Sequence, residues 1–318
     1  MAGPIERATN LLPQFLKKRE FDYDTAVDGM RQILWGLFKK IVVADNCAVY
    51  VDQVFSSYQM QSGSTLLLAA VFFTFQIYGD FSGYSDIAIG TAKLFGIKLM
   101  RNFNVPYFSR DIAEFWRRWH ISLTTWFRDY VYIPLGGSRV SKAKVVRNTF
   151  IIFLLSGFWH GANWTFIAWG AYHTILFLPL ILTGKNRKYI NQMAEGRFLP
   201  TLKEAGQMLL TFFLAVFGWI IFRSSGMPSL MHYLEGMLQW GTLRASYRFF
   251  TLPEMWPTNL FIVIMLVVEW LQRGREHGFA FLSQIKSFVL RCVIVVIIIE
   301  FILFFKAAMP AQFIYFQF

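Results

Sequence analysis

The stretch that decides the fold runs from Asn148 to Gly184, NTFIIFLLSGFWHGANWTFIAWGAYHTILFLPLILTG, 37 residues without Asp, Glu, Lys or Arg. As one helix it would be about 55 Å long, roughly twice what crosses the hydrocarbon core of a bilayer. Arg139, Lys142, Lys144 and Arg147 precede it, and Lys185, Arg187 and Lys188 follow. Short cytoplasmic loops collect Lys and Arg, so both flanks belong on one side of the membrane, which a single crossing would forbid. Two passes are therefore expected. The natural break is Ser156-Gly157-Phe158-Trp159-His160-Gly161-Ala162-Asn163, where two glycines flank a Trp-His pair and let the backbone bend at depth. Non-helical backbone is tolerated there only when it is buried in protein or lines a cavity.

Outward from this stretch the pattern repeats. Residues 53–79 and 205–222 also lack charge, and each reaches or nearly reaches the roughly 20 residues of a spanning helix. Two shorter runs, 255–268 and 292–305, are interrupted or bounded by Glu269, Arg291, Glu300 and Lys306. They are expected to cross with their charged ends in headgroups or protein. Over the 318 residues 55% are apolar, 19% aromatic and only 16% charged, against about 25% charged in an ordinary soluble domain. The expectation is an all-α, polytopic membrane bundle forming one domain over 1–318, since no linker, repeat or low-complexity tract divides it. The net charge of +12 lies in short loops beside apolar runs, so it reads as cytoplasmic loop charge and not as a nucleic-acid surface. The lipid bilayer is the partner this composition demands. Cys47 and Cys292 form no CxxC or disulfide pattern, and no metal site is readable. Met1 to Arg19 lacks the apolar core of a signal peptide.

Two segments are neither lipid-like nor water-like. In residues 31–50 Ile33, Leu34, Leu37, Ile41 and Val42 share a helical face, while Arg31, Lys39, Lys40 and Asp45 interrupt it, as in an interfacial or bundle-edge helix. Residues 111–130 open on a capping-box-like Asp111 and Glu114, carry Trp116, Trp119 and Trp126 among Arg117, Arg118, His120 and Arg128, and stop at Pro134, Gly136 and Gly137. Read as one helix, this places His120 a turn from Trp116 and from Thr124 on a shared face, with Glu114 and Arg118 able to pair at i,i+4.

His160 sits inside the uncharged run, and an ionisable residue in a membrane segment is costly enough that function is the default reading. A packing histidine satisfied by a carbonyl is the alternative. For His120 a functional imidazole and a member of an interfacial aromatic belt stand as equal alternatives. His173 reads as packing; His232 and His277 read as loop residues without a role. Gly79-Asp80-Phe81-Ser82-Gly83-Tyr84-Ser85-Asp86 closes the run 53–79, and its carboxylates, six apart, do not share a helix face; they read as a polar helix end paired to arginines. No GxSxG, HExxH, phosphate-binding loop or dinucleotide fingerprint occurs, which disfavours the usual hydrolases, zinc proteases and nucleotide enzymes.

Taken together, Ala2-Gly3-Pro4-Ile5-Glu6-Arg7, Tyr78 to Asp86, Phe115-Trp116-Arg117-Arg118-Trp119-His120-Ile121-Ser122-Leu123, Trp126-Phe127-Arg128-Asp129-Tyr130 and Gly157-Phe158-Trp159-His160-Gly161 resemble the membrane-bound O-acyltransferase family. The likeness is to its alginate O-acetyltransferase branch, related to the D-alanyl transfer protein of teichoic-acid modification, and extends to the terminal Phe313-Ile314-Tyr315-Phe316-Gln317-Phe318. The resemblance implies a bundle with re-entrant or broken helices around a central tunnel in a bacterial cytoplasmic membrane, and further transmembrane helices ahead of Ala2. It implies an acyl thioester such as acetyl-coenzyme A as donor substrate with no bound cofactor, a polysaccharide acceptor, and an extracytoplasmic acetyltransferase partner. The family's invariant histidine matches His160, and a second polar position matches His120. In this reading His160 takes the proton of an acceptor hydroxyl, His120 orients a substrate, and Asn163 or backbone N–H groups at the glycine break stabilise the oxyanion. Trp116, Trp119, Trp159 and Trp164 wall the tunnel, while Arg117 and Arg118 suit the donor's phosphates. A proton-coupled transporter or export channel and a non-catalytic membrane scaffold are the rival readings.

Overall fold

The computed structural model describes residues 3–239, 256–307 and 311–314. Of the segments quoted above, Ala2, Met255 and Tyr315 to Phe318 lie outside the described residues. In chain order the α-helices are α1 (Ala8–Leu16), α2 (Tyr23–Leu37), α3 (Asp45–Ser56), α4 (Gly63–Leu94), α5 (Ile112–Arg118), α6 (Ile121–Phe127), α7 (Lys142–His160), α8 (Trp164–Leu182), α9 (Leu202–Arg223), α10 (Met227–Met237), α11 (Trp256–Leu271) and α12 (Phe288–Phe304). Among the described residues every regular element is helical, so the chain is an all-α membrane protein. Helices α4, α8 and α9 are long and apolar enough to cross a bilayer. The most apolar window of α4 is 89% buried by protein and that of α8 only 33%, so α4 runs through protein while α8 leaves much of its apolar surface uncovered. The chain forms two compact units, Met1–Ser56 with Phe75–Asn104 and Ser246–Gln317, and Ser57–Thr74 with Val105–Ala245 and Phe318.

In the first unit α2 and α4 pack antiparallel through glycines seven residues apart. A Cβ on Gly29 would lie 2.6 Å from the carbonyl oxygen of Gly90, and one on Gly36 would lie 2.6 Å from that of Gly83. Small residues let membrane helices approach backbone to backbone. Gly83→Leu has no room and is expected to destabilise the protein by at least about 1–3 kcal/mol. The check is the thermal midpoint of purified protein. Leu67→Ala, a substitution on the exposed side of α4, serves as the control and should leave the midpoint in place.

Polar side chains follow the same seam. The expected single helix over 31–50 is instead α2 and α3 joined by a π-helical turn, Phe38–Ala44, and the turn carries Lys39 and Lys40 to α4. Lys39 Nζ lies 2.6 Å from Asp86 and 2.8 Å from the Ser82 hydroxyl; Lys40 Nζ lies 2.7 Å from both Asp80 and Asp45. Tyr78 donates to Glu269 at 2.6 Å. The segment Gly79 to Asp86 is therefore the largely buried middle of a long helix and not a polar helix end, and its carboxylates pair with lysines instead of arginines. The helix runs on through Gly79 and Gly83, which pack against the backbone of Lys39 and Gly36. His277, expected to be without a role, hydrogen-bonds Asp28 at 3.0 Å, and Asp28 also meets Lys93 at 2.6 Å. These partners, the His277 hydrogen bond foremost, hold the Asp28 carboxyl well below its usual range. Their contribution is complete above pH 3.8 and is lost only as pH falls further.

In the second unit α7 and α8 form an antiparallel hairpin. A Cβ on Gly157 would meet the Phe166 carbonyl and one on Gly170 the Phe153 carbonyl, so the two backbones touch. Each helix has 19 residues, about 28 Å, which is the full hydrocarbon thickness. The run forms two antiparallel helices, and the break between them narrows to Gly161-Ala162-Asn163 at the tip of the hairpin. Both basic flanks lie at the opposite end. Asn163 fixes the turn: its side-chain oxygen accepts from Thr165 N at 3.1 Å, and its Nδ2 donates to the Ser225 carbonyl at 2.8 Å.

Candidate functional site

The second unit brings His120 and His160 together. The helix expected over 111–130 is broken between α5 and α6, because His120 adopts the left-handed conformation, φ 42° and ψ 54°. No glycine or proline announces this break. A left-handed residue that is not glycine costs about 1–2 kcal/mol and persists only where its surroundings determine it. Those surroundings are specific. Asp111 caps α5 by accepting from Glu114 N at 2.7 Å, and Glu114 clamps Arg110 at 2.9 Å and Arg118 at 2.8 Å. Trp119 stacks on Phe115 at 5.6 Å and leans on Trp219 at 4.7 Å. The i,i+4 pair of Glu114 and Arg118 thus forms as read. The shared face of Trp116, His120 and Thr124 does not, since the chain turns at His120.

His160 closes α7. Its ring lies 5.0 Å from Trp159, 5.4 Å from Trp169, 5.0 Å from Phe222 and 6.2 Å from Phe166. Trp159 also lies 6.3 Å from His120, so one indole borders both imidazoles. His120 is buried, 3% exposed. Imidazole is a side chain able to accept or donate a proton, and the two rings lie beside one indole, that of Trp159. Among the described residues no cluster of three His, Cys, Asp or Glu could hold a metal ion.

The other residues singled out in the sequence are placed differently from one another. Trp116 and Trp119 are buried; Trp159 is 41% exposed and Trp164 75%. Arg118 is held by Glu114, and Arg117 donates to the carbonyls of Asn186 at 2.6 Å and Tyr189 at 2.7 Å. Both arginines are thus occupied within the protein, and Arg117 ties down the segment after α8. Asn163 has both ends of its amide engaged in the hairpin turn. Sequence reasoning missed Trp169, Trp219 and Phe222, which complete the enclosure. Their signal was faint: Trp169 and His173 lie one helical turn apart on α8, and Gly218 on α9 makes room for His173, whose Nε2 a Cβ there would approach to 2.7 Å.

The sequence is similar to those of several known proteins. The probable alginate O-acetylase of Pseudomonas aeruginosa is 42% identical over 246 residues, covering 77% of this chain and 45% of that protein. The peptidoglycan O-acetyltransferase of Helicobacter pylori is 40% identical over 240 residues, covering 75% and 44%. The teichoic acid D-alanyltransferase of Bacillus subtilis is 30% identical over 243 residues, covering 73% and 60%. The chain spans about half the length of the O-acetylating relatives it matches. The pattern of the membrane-bound O-acyltransferase family fits residues 1–220, more than two thirds of the sequence, and the chain belongs to that family.

Proposed function

We propose that this chain is the acyl-transfer portion of a bacterial O-acetyltransferase that moves an acetyl group from a cytoplasmic thioester, acetyl-coenzyme A or a carrier-bound equivalent, to a hydroxyl of an extracytoplasmic polysaccharide. The observation that carries the proposal is the pairing of His120 and His160 around Trp159 at the tip of a hairpin whose basic ends lie about 28 Å away. With the basic ends cytoplasmic, the two imidazoles stand towards the outer face of a multi-pass protein in the cytoplasmic membrane. His160 takes the proton as the acceptor oxygen attacks the acyl carbon, and returns it to the departing thiolate. His120, fixed by its backbone, orients the reacting groups. The aromatic enclosure lines a tunnel and limits water, which would otherwise hydrolyse the thioester. The relatives act, by their names, on alginate, peptidoglycan or teichoic acid; a glycan hydroxyl is the acceptor class taken here, reached directly or through an extracytoplasmic acetyltransferase partner.

The test supplies radiolabelled acetyl thioester to inverted membrane vesicles containing the full protein and its polymer. Alkali-labile label on the polymer supports the proposal; polymer export without label transfer supports the transporter reading instead.

A further inference from the structure

Behind the two histidines lies a group of buried polar atoms that lack hydrogen-bond partners among the described residues: the indole N–H groups of Trp116, Trp169 and Trp219, both ring nitrogens of His173 and the Thr165 hydroxyl. Trp169 is 1% exposed, Trp219 2%, His173 1% and Thr165 0%. A buried donor without a partner is destabilising, and native proteins keep few of them unless a ligand or water completes the set. The rings are contiguous. Trp169 lies 5.5 Å from Trp116, 5.0 Å from His173 and 6.2 Å from Trp219, and among these three indoles it is the one set against His160, at 5.4 Å and 85°.

We infer that the indole N–H of Trp169 receives the carbonyl oxygen of the acyl group and stabilises the oxyanion formed beside His160; the inference rests on the acyl-transfer reading. These surroundings favour a neutral, short acyl thioester, because Trp116, Trp169, Trp219 and Phe222 offer apolar faces and N–H donors and no charged group. Three other donors at the break are engaged. Asn163 Nδ2 binds Ser225, Gly161 N binds the Phe158 carbonyl at 3.2 Å, and Phe166 N binds the Asn163 carbonyl at 3.1 Å. In the step itself the acceptor oxygen forms a bond to the acyl carbon, its proton passes to His160, and the carbonyl π electrons move onto the oxygen facing Trp169. Collapse of that intermediate restores the carbonyl and breaks the carbon–sulfur bond. The thiolate leaves with the proton from His160. His173 and Trp116, edge-on to each other at 4.9 Å, hold Trp169 in place as positioning residues.

The experiment measures acetyl transfer in membranes containing the full protein with Trp169→Phe, and with Trp169 replaced by benzothienylalanine, which keeps the bicyclic shape and removes only the N–H. Loss of one oxyanion donor lowers kcat by about 10²–10³-fold, so both variants are expected to fall to that extent with the donor KM within a few-fold of wild type. If benzothienylalanine leaves kcat unchanged, the N–H is satisfied by a neighbouring ring face and the inference is overturned. If wild-type membranes transfer no acetyl at all, the acyl-transfer reading itself falls and takes the inference with it.

Discussion

Replacing His160 by alanine is expected to lower acetyl transfer by about 10²–10⁴-fold, the range that a positioned general base supplies, without lowering the amount of protein in the membrane. The imidazole ends α7 at the hairpin tip, and the neighbouring contacts are aromatic rings, so truncation removes a reactive group without unpairing a buried charge. The hairpin itself is held by the glycine contacts of Gly157 and Gly170, which the substitution does not touch. Quantifying polymer-bound acetyl against membrane protein level checks both halves of the prediction. Unchanged acetylation at equal protein level would remove His160 from the chemistry.

The second large effect is expected in the first unit and concerns folding. Lys39→Met leaves Asp86, a mostly buried carboxylate on α4, without its cation, and breaking a buried pair costs about 3–5 kcal/mol. The variant should be recovered poorly from detergent extracts and melt well below wild type. Adding Asp86→Leu removes the stranded charge, and the double variant should regain most of the loss, since an apolar pair of similar volume is often as stable as the ion pair it replaces. The cycle needs only thermal midpoints of the four proteins. A double variant no better than Lys39→Met would mean that Lys39 acts through Ser82, its other partner at 2.8 Å, and not through Asp86.

Much of this architecture was legible because a bilayer is an undemanding solvent to read. Long uncharged runs announce α4, α8 and α9, and basic flanks announce a hairpin between 148 and 184. What the residues could not announce were the places where packing overrides local signals. Helix α4 continues through Gly79 and Gly83 because those glycines fit against Lys39 and Gly36; glycine in isolation reads as an end. His120 breaks a helix with no breaker in the sequence, because Glu114, its two arginines and the stacked Trp119 fix the chain leading into the turn. The two histidines are separated by 40 residues in sequence, and only the break at His120 and the hairpin turn at Gly161 bring them to one indole. The partners of Arg117 and Arg118, carbonyl oxygens and a carboxylate from their own chain, had no signal in the sequence beyond the i,i+4 spacing of Glu114 and Arg118.

The central claim is that His120 and His160 serve one chemical step. It is tested most directly by acetyl transfer rates of His120→Ala, His160→Ala and the double variant, measured in the same membranes at equal protein level. Residues that act as a unit lose most of their effect with the first removal, so the account predicts that the double variant is no slower than His160→Ala within about 3-fold. Rates that multiply, with each substitution exerting its full effect in the presence of the other, would show two independent contributions and contradict it.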